Sequence, residues 1–298
     1  MDNLSAYYEY HKRSSEIRDI DPANDTLRYI ANRFELNTEQ RYWLSFLYAS
    51  TYSATSAYYI YNEFPDFENV DVTRLQRWWN AKKHLVIFQT DRRRVKSSNQ
   101  FVQSFVSYRE LIGERTQQEF FEGLVCNSKD KTYEDVYKAG EQIYTFGRFT
   151  LFIYLEMLYV LTDLPLEPTT LVLKDAESCR NGIALAFGLT ELNTHRNDKK
   201  LTNDEMNLLQ DKFLVIKNTI GGMPIEHTNI WNIETTLCAY KKWRMNKRYV
   251  GYYIDRSGLE IEQMSQAIRD GVDWTPLWQF RKETYNHNLL KELNDRNK

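Results

Sequence analysis

Apolar side chains recur along much of this chain at steps of three and four, which is the repeat of one face of an α-helix. The longest such run covers about 136–161. Its apolar positions include Ile143, Phe146, Ile153, Tyr154, Met157 and Leu161. The pattern predicts one long central helix with Glu156 close to its apolar face. We expect the 164–168 segment to end it, because Pro165 and Pro168 cannot continue a helix.

Three predicted helices open with a capping box, in which a side-chain oxygen accepts from a free backbone N–H of the first turn. The capping pairs are Asn37 with Gln40, Ser97 with Gln100, and Thr202 with Glu205. The apolar segment 170–173 fits a short strand or an extended stretch. A further helix is predicted from about Asp175 to 188.

Proline and glycine are scarce, at 6 and 11 of 298 residues, which favours helices over a turn-rich β fold. We therefore predict a mainly α, compact helical fold with at most short strands. A Gly-Gly-Met-Pro break at 221–224 suggests a helical catalytic body over 1–223 and a C-terminal helical portion over 224–298 packed on it. A single domain over 1–298 is the alternative.

Charge and motifs narrow the functional classes. The formal net charge is −2, so a nucleic-acid partner would have to bind a local basic face. The sequence contains no P-loop, no GxGxxG and no GxSxG motif, which leaves nucleotide hydrolysis, dinucleotide binding and α/β-hydrolase chemistry without support. The five histidines are isolated, and none is assigned a role.

The three cysteines, Cys126, Cys179 and Cys238, are far apart in sequence and form no CxxC pair. We therefore expect no metal site, no structural zinc and no disulfide, and a reducing cytoplasm suits such sparse thiols. The most apolar run, 151–161, is far shorter than the roughly 20 residues of a membrane span. A cytoplasmic protein without a membrane partner is the expectation.

Three polar segments are candidates for chemistry. The first is 92–100, where four of five successive residues are cationic just before a predicted helix start; helix N-termini attract anions. The second is 174–182, a polar run between two apolar segments. The third is 232–249, where five of the eight residues from Lys241 to Arg248 are basic and aromatic rings are interleaved. The structural alternatives are a solvated charge run, a helix cap and an amphipathic basic face.

Five segments together resemble one family, the phage amino acid:DNA transferases, also called α-glutamyl/putrescinyl-thymine pyrophosphorylases. They are Tyr-Trp-Leu-Ser-Phe-Leu-Tyr at 42–48, Arg-Arg-Val-Lys at 93–96, Phe-Gly-Arg-Phe at 146–149, Asp-Ala-Glu-Ser-Cys-Arg-Asn-Gly at 175–182, and Glu-Thr-Thr-Leu-Cys-Ala-Tyr-Lys at 234–241. The 175–182 run is the most specific of these, and the segments span most of the chain.

The resemblance implies a viral DNA hypermodification enzyme in the host cytoplasm, with a helical, DNA-glycosylase-like body and base flipping. Its DNA substrate would carry pyrophosphorylated 5-hydroxymethyluracil, and an amino acid or polyamine would replace the pyrophosphate. No cofactor is expected, and the sequence leaves open whether Mg²⁺ assists.

The resemblance also assigns roles to residues. The expected catalytic residues are Asp175, Glu177, Arg180 and Asn181. The expected pyrophosphate- and DNA-binding residues are Arg92, Arg93, Arg94, Lys96, Arg148, Lys241, Lys242 and Arg244. The expected substrate-pocket residues are Trp43, Tyr48, Glu234 and Cys238. Glu177 is favoured as the group that accepts the amine proton or holds its ammonium, Arg180 as an anchor for a carboxylate or phosphate oxygen, and Asn181 as a partner of the flipped base.

Two other functions stay open from the sequence. One is a base-excising DNA glycosylase on a similar helical body, although no clear helix-hairpin-helix is present. The other is a non-enzymatic nucleic-acid-binding phage protein that uses the same basic segments without chemistry.

Overall fold

The computed structural model of the chain describes residues 2–88, 91–193 and 200–285, with the backbone alone over 91–98. It is 70% helical and has fourteen α-helices and no strand among those residues, which confirms the predicted mainly α class. The helices are α1 Asn3–Glu16, α2 Pro22–Arg33, α3 Thr38–Thr51, α4 Ala54–Glu63, α5 Val72–Lys82, α6 Asp91–Ile112, α7 Gln117–Glu122, α8 Lys129–Gly140, α9 Arg148–Thr162, α10 Glu177–Ala186, α11 Asn203–Gly221, α12 Ile230–Arg244, α13 Tyr252–Ala267 and α14 Thr275–Thr284.

The chain divides into two compact units. Unit 1 comprises Met1–Pro22, Thr169–Asp255 and Thr284–Lys298, and unit 2 comprises Ala23–Pro168 and Arg256–Glu283. The division after residue 223 that the sequence suggests stays a prediction.

Unit 2 has an aromatic core in which α3 packs along α9. The ring of Phe46 on α3 stacks on Tyr108, with centroids 4.5 Å apart, and on Phe146 at 5.4 Å. The apolar face of α9 is buried as the sequence predicts. Glu156 lies within this core, where Asn24 donates a hydrogen bond of 2.8 Å to its carboxylate.

The predicted single helix over 136–161 is wrong, because α8 ends at Gly140 and α9 begins only at Arg148. Thr145 has a left-handed backbone with φ of 70°, and Gly147 is the N-cap of α9. The 141–147 turn keeps its apolar residues Ile143 and Phe146 buried, so the helical spacing continues across a break in the helix.

Two of the three predicted capping boxes are present. Asn37 and Gln40 cap α3, and Thr202 and Glu205 cap α11. The helix start predicted at Ser97 is wrong, because α6 already begins at Asp91. The 170–173 segment is not a strand; a 3-10 turn, Leu173–Asp175, leads from it into α10.

Unit 1 is built around α10 and α12, with α1 and α11 packed against them. The carboxylate of Asp19, which follows α1, accepts hydrogen bonds from the backbone N–H groups of Gly251, Tyr253 and Ile254 at 2.8, 2.9 and 3.0 Å. The first turn of a helix has backbone N–H groups with no acceptor inside the helix. Asp19 accepts from such groups at the start of α13 and so caps this helix. The N-terminal segment is thus held by charge-assisted bonds to a region more than 230 residues away in sequence.

A buried histidine on α1, His11, makes two further hydrogen bonds within unit 1. Nε2 of His11 lies 2.8 Å from the carbonyl oxygen of His227, so this nitrogen carries the proton, because a carbonyl only accepts. Nδ1 then accepts from the Thr236 hydroxyl, also at 2.8 Å. Burial lowers the pKa of His11 to about 4.

We expect this histidine to make unit 1 sensitive to acid. Between about pH 6.5 and 4, the unfolded chain takes up a proton that the folded His11 does not bind, so stability falls as the pH falls. A gap of about 2.5 pKa units corresponds to about 3 kcal/mol. Above about pH 6.5 the neutral His11 makes its full contribution to the free energy of unfolding.

The measurement is the free energy of unfolding in urea, for the wild type and His11→Gln, at pH 7.5 and at pH 4.5. Glutamine keeps an N–H donor for the His227 carbonyl and does not titrate. The free energy of unfolding of the wild type should exceed that of the variant at pH 7.5, and this difference should shrink at pH 4.5. Equal pH dependence in both proteins would contradict the buried neutral histidine.

Candidate active site

The helices α10 and α12 approach each other closely at Gly182. A Cβ atom built on Gly182 would lie 2.4 Å from the carbonyl oxygen of Leu237 and 2.8 Å from its carbonyl carbon. Real Cβ atoms do not come this near to backbone, so any other residue would force the two helices apart. This glycine belongs to the 175–182 run, and Leu237 belongs to the 234–241 segment; the crossing joins the two.

Two cysteines and a glutamate meet beside this crossing. Sγ of Cys179 on α10 lies 3.4 Å from Sγ of Cys238 on α12 and 3.1 Å from Oε1 of Glu234. Cys238 lies 3.5 Å from the same oxygen, one helical turn further along α12. Cys179 is fully buried. Its hydrogen bond with Cys238, together with burial and the nearby Glu234, raises the pKa of the Cys179 thiol well above its usual value.

A second carboxylate lies next to this group. Asp21 accepts a hydrogen bond of 2.8 Å from the hydroxyl of Thr235, the neighbour of Glu234 on α12. Burial, with a further contribution from the charge of Glu234, raises the pKa of Asp21 to about 7. Its backbone has a φ of 48°, a left-handed conformation in which non-glycine residues are uncommon and which is often found at functional sites.

A pocket of ≈ 240 Å³ opens where the ends of α10 and α12 lie side by side. It is lined by Asn181, Leu185, Asn193, Lys241, Arg244 and Met245. Asn181 and Lys241 are buried, with 1% and 7% of their surface exposed. Arg244 is exposed and donates to Asn3 Oδ1 at 3.2 Å and to the Tyr240 hydroxyl at 2.9 Å. The pocket therefore presents two amides and two cations.

Glu234, Cys238 and one side of this pocket lie along one stripe of α12. Glu234, Cys238, Lys241 and Met245 are separated by four, three and four residues, a spacing that places side chains in successive turns of one helix face. Glu234 and the thiol of Cys238 occupy the first part of the stripe, and Lys241 lies further along it. An acidic group and a basic pocket are thus adjacent along one helix.

The other members of the 175–182 run lie at the entrance to α10. Asp175 is exposed in the 3-10 turn, and Glu177 is the half-buried first residue of α10. The Nη1 atom of Arg180 donates to the carbonyl of Leu173 at 2.8 Å and also to that of Lys174. Arg180 therefore ties the 3-10 turn to α10, and its role towards a substrate stays a prediction.

Four predicted binding residues lie elsewhere. Arg148 begins α9 in unit 2, close enough to Tyr133 for its charge to influence that phenol's pKa. Trp43 and Tyr48 are buried on α3; the indole N–H of Trp43 donates to the Phe64 carbonyl, which is the environment of a core residue. Lys242 lies in the last turn of α12. The side chains of Arg92, Arg93, Arg94 and Lys96 lie outside the described residues.

A known protein family matches the part of the chain that contains these residues. The family described as Amino acid:DNA transferase matches residues 15–248, which cover most of the chain and include both halves of the crossing. The chain belongs to the amino acid:DNA transferase family. The family name describes a transferase that acts on DNA with amino acids. No curated protein and no solved structure matches the chain. No helix in the described part of this transferase is long and apolar enough to cross a membrane.

Sequence reasoning misses Asp21 and Cys179 in this amino acid:DNA transferase. Asp21 lies about 150 residues before the 175–182 run, and only its position between a buried Ile20 and Pro22 hints at a special role. Cys179 lies inside the predicted run, but its partner Cys238 is 59 residues away. No local spacing rule relates such residues.

We expect Gly182→Ala to test the crossing. The added methyl group meets backbone atoms of Leu237, which cannot move as a flexible side chain can, so the variant should be destabilised by about 1–3 kcal/mol. Gly221→Ala is the control, since Gly221 is also a helical glycine, at the end of α11, but has no atom within 4 Å of its added Cβ. The control should change stability by less than about 1 kcal/mol.

Thermal and urea unfolding of both variants give the comparison. Equal stability of Gly182→Ala and Gly221→Ala would contradict the close approach of α10 and α12.

Proposed function

We propose that this transferase replaces the pyrophosphate of 5-(pyrophosphoryloxymethyl)uracil in DNA with an amine from an amino acid or polyamine. The supporting observation is the pocket on α10 and α12, where Asn181 of the 175–182 run lies with Lys241 and Arg244 of the third polar segment. Residues expected to recognise a base and residues expected to bind phosphate thus meet in one unit.

Lys241 and Arg244 suit the leaving group. The C–O bond to the C5 methylene breaks with the electron pair going to pyrophosphate, so negative charge grows on the departing oxygen. Fixed cations stabilise such charge most effectively when they are shielded from water, and Lys241 is 7% exposed. Arg244 at the rim adds a planar fork that matches phosphate oxygens.

The attacking amine must lose a proton as the new C–N bond forms. Glu177 at the start of α10 is the first candidate for the base, as its place in the 175–182 run suggests, and Asp175 lies two residues before it. Asp21 is a second candidate, because a carboxyl with a pKa of about 7 accepts a proton readily near neutral pH. Glutamine and asparagine replacements distinguish these candidates.

We propose that Asn181 binds the uracil ring. Its amide offers both a donor and an acceptor, which complement the O4 and N3–H edge of the base. A base reaches an enclosed side chain of this kind only after leaving the duplex stack. We propose that Arg148, Lys242 and the 92–96 cluster contact the DNA backbone outside the pocket.

The direct experiment uses DNA that contains 5-(pyrophosphoryloxymethyl)uracil, incubated with the protein and a pool of amines. Mass spectrometry of the released nucleosides should find a thymine carrying an amine at its methylene, together with free pyrophosphate. Abasic sites in place of the adduct would instead indicate the base-excising glycosylase. Unchanged DNA that is nevertheless bound would indicate a binding protein.

Variants at the carboxylates sharpen this test. Loss of a general base should lower the rate of amine transfer by about 10²–10⁴-fold, without a matching loss of stability. We expect Glu177→Gln to show this fall. Asp21→Asn keeps the shape and tolerates the left-handed backbone, so a fall confined to this variant assigns the base to Asp21.

Arg180→Ala separates the substrate role of Arg180 from its contacts with the 3-10 turn. If Glu177→Gln, Asp21→Asn and Arg180→Ala all retain full activity and shift only the melting temperature, these residues stabilise the fold and the site assignment is wrong.

DNA binding should depend on salt. Removing one cation that pairs with a phosphate should reduce the slope of log affinity against log salt by about one. Charge reversal at Lys242 and Arg244 should therefore weaken binding to all sequences alike. Lys82→Glu is the control, because Lys82, like Arg244, is an exposed cation in the last turn of a helix. Affinity that is indifferent to salt, or equally weakened by the control, would contradict a DNA-binding face on α12.

A further inference from the structure

The two thiols and the carboxylate on α10 and α12 form a group that the proposed reaction does not use. We call Cys179, Glu234 and Cys238 the thiol–carboxylate triad. Its three ligand atoms lie within 4.8 Å of one another, and it is the single group of this kind found among residues 2–88, 91–193 and 200–285. The sequence predicts no metal site, because the cysteines are far apart along the chain.

The distances match the edges of a metal coordination polyhedron. Around a tetrahedral zinc ion with Zn–S near 2.3 Å and Zn–O near 2.1 Å, two sulfur atoms lie about 3.8 Å apart and a sulfur and an oxygen about 3.6 Å apart. The observed separations are 3.4 Å between the sulfurs, and 3.1 and 3.5 Å from the sulfurs to Oε1 of Glu234. One face of such a tetrahedron is therefore already assembled to within about 0.5 Å.

We propose that the thiol–carboxylate triad binds a zinc ion through Sγ of Cys179, Sγ of Cys238 and a carboxylate oxygen of Glu234. Two thiolates select zinc over magnesium and calcium, which prefer oxygen ligands alone. Three protein ligands leave the fourth position for water or a substrate group, as in catalytic rather than structural zinc sites. This inference does not depend on the proposed transfer reaction.

The fold holds the ligands in place before any metal arrives. Glu234 and Cys238 are one turn apart on α12, so their side chains point from the same helix face. The approach of α10 at Gly182, three residues after Cys179, fixes the third ligand against them. Rigid helices position metal ligands more accurately than loops do.

A disulfide is the competing outcome for the two thiols. A disulfide requires sulfurs about 2.05 Å apart, so the pair at 3.4 Å would have to move closer by more than 1 Å. It would also leave the Glu234 carboxylate without either of its thiol donors. The metal uses all three groups where they are.

The test measures metal bound to the full-length protein purified without chelator. Elemental analysis should find about one zinc ion per chain, and replacement by Co²⁺ should give the near-ultraviolet charge-transfer absorption of cobalt bound to thiolates. Competition with a chromophoric chelator gives the affinity of the wild type, so the result does not depend on any variant folding.

Three variants and one control locate the site. Cys179→Ser, Cys238→Ser and Glu234→Gln should each weaken zinc binding by more than about 100-fold. Replacing a residue that only orients a metal ligand already lowers metal affinity by about 10–100-fold. Cys126→Ser is the control, because Cys126 lies in unit 2 and its thiol bonds to Asp135 at 3.3 Å. The Cys126→Ser variant should bind zinc as the wild type does and should show the same cobalt absorption.

Several results would overturn the proposal. One is a wild type that holds no zinc and competes with no chelator. A second is a disulfide, seen as an intact mass about 2 Da low and located at Cys179 and Cys238 by the mass of the linked peptides. A third is zinc that the Cys126→Ser control loses as readily as the Cys179→Ser variant does.

Discussion

The close packing of α10 on α12 at Gly182 is the constraint on which the rest of unit 1 depends. Because a glycine faces the Leu237 carbonyl, the two backbones approach to a distance that no side chain would permit. That approach places Cys179 within 3.4 Å of Cys238 and brings Asn181 to the same pocket as Lys241. Two segments some 60 residues apart in sequence thereby become one site.

The site combines groups of opposite character along α12. The buried Cys179 and the half-buried Cys238, Glu234 and Asp21 lie together near the first part of α12, while the cations gather in its last turn, where the helix dipole also favours positive charge. The basic end therefore has a structural cause as well as a proposed role with pyrophosphate. The position of Asp21 has no such simple structural cause, since burial raises its pKa to about 7 and disfavours its charged form. Groups that carry an electrostatic cost of this kind are common at functional sites.

The sequence predicts the helices better than the breaks between them and the contacts between distant segments. Helix caps at Asn37 and Thr202 depend on neighbouring residues, so local rules find them. The break between α8 and α9 escapes those rules, because the turn keeps its apolar residues in helical register with the helices on both sides. The polar run 175–182 stands out by its position and its family resemblance, and it does contribute Asn181 to the pocket. Asp21 and the Cys179–Cys238 contact arise from tertiary packing, for which no short-range spacing exists.

The central claim is that the pocket beside the α10–α12 crossing receives the modified base. A crystal structure of the protein bound to DNA with 5-(pyrophosphoryloxymethyl)uracil, trapped in the absence of amine, tests this most directly. The account predicts a flipped uracil within hydrogen-bond distance of Asn181 and pyrophosphate oxygens beside Lys241 and Arg244. A base that remains stacked in the duplex, or one that enters a pocket formed by other residues, would contradict it.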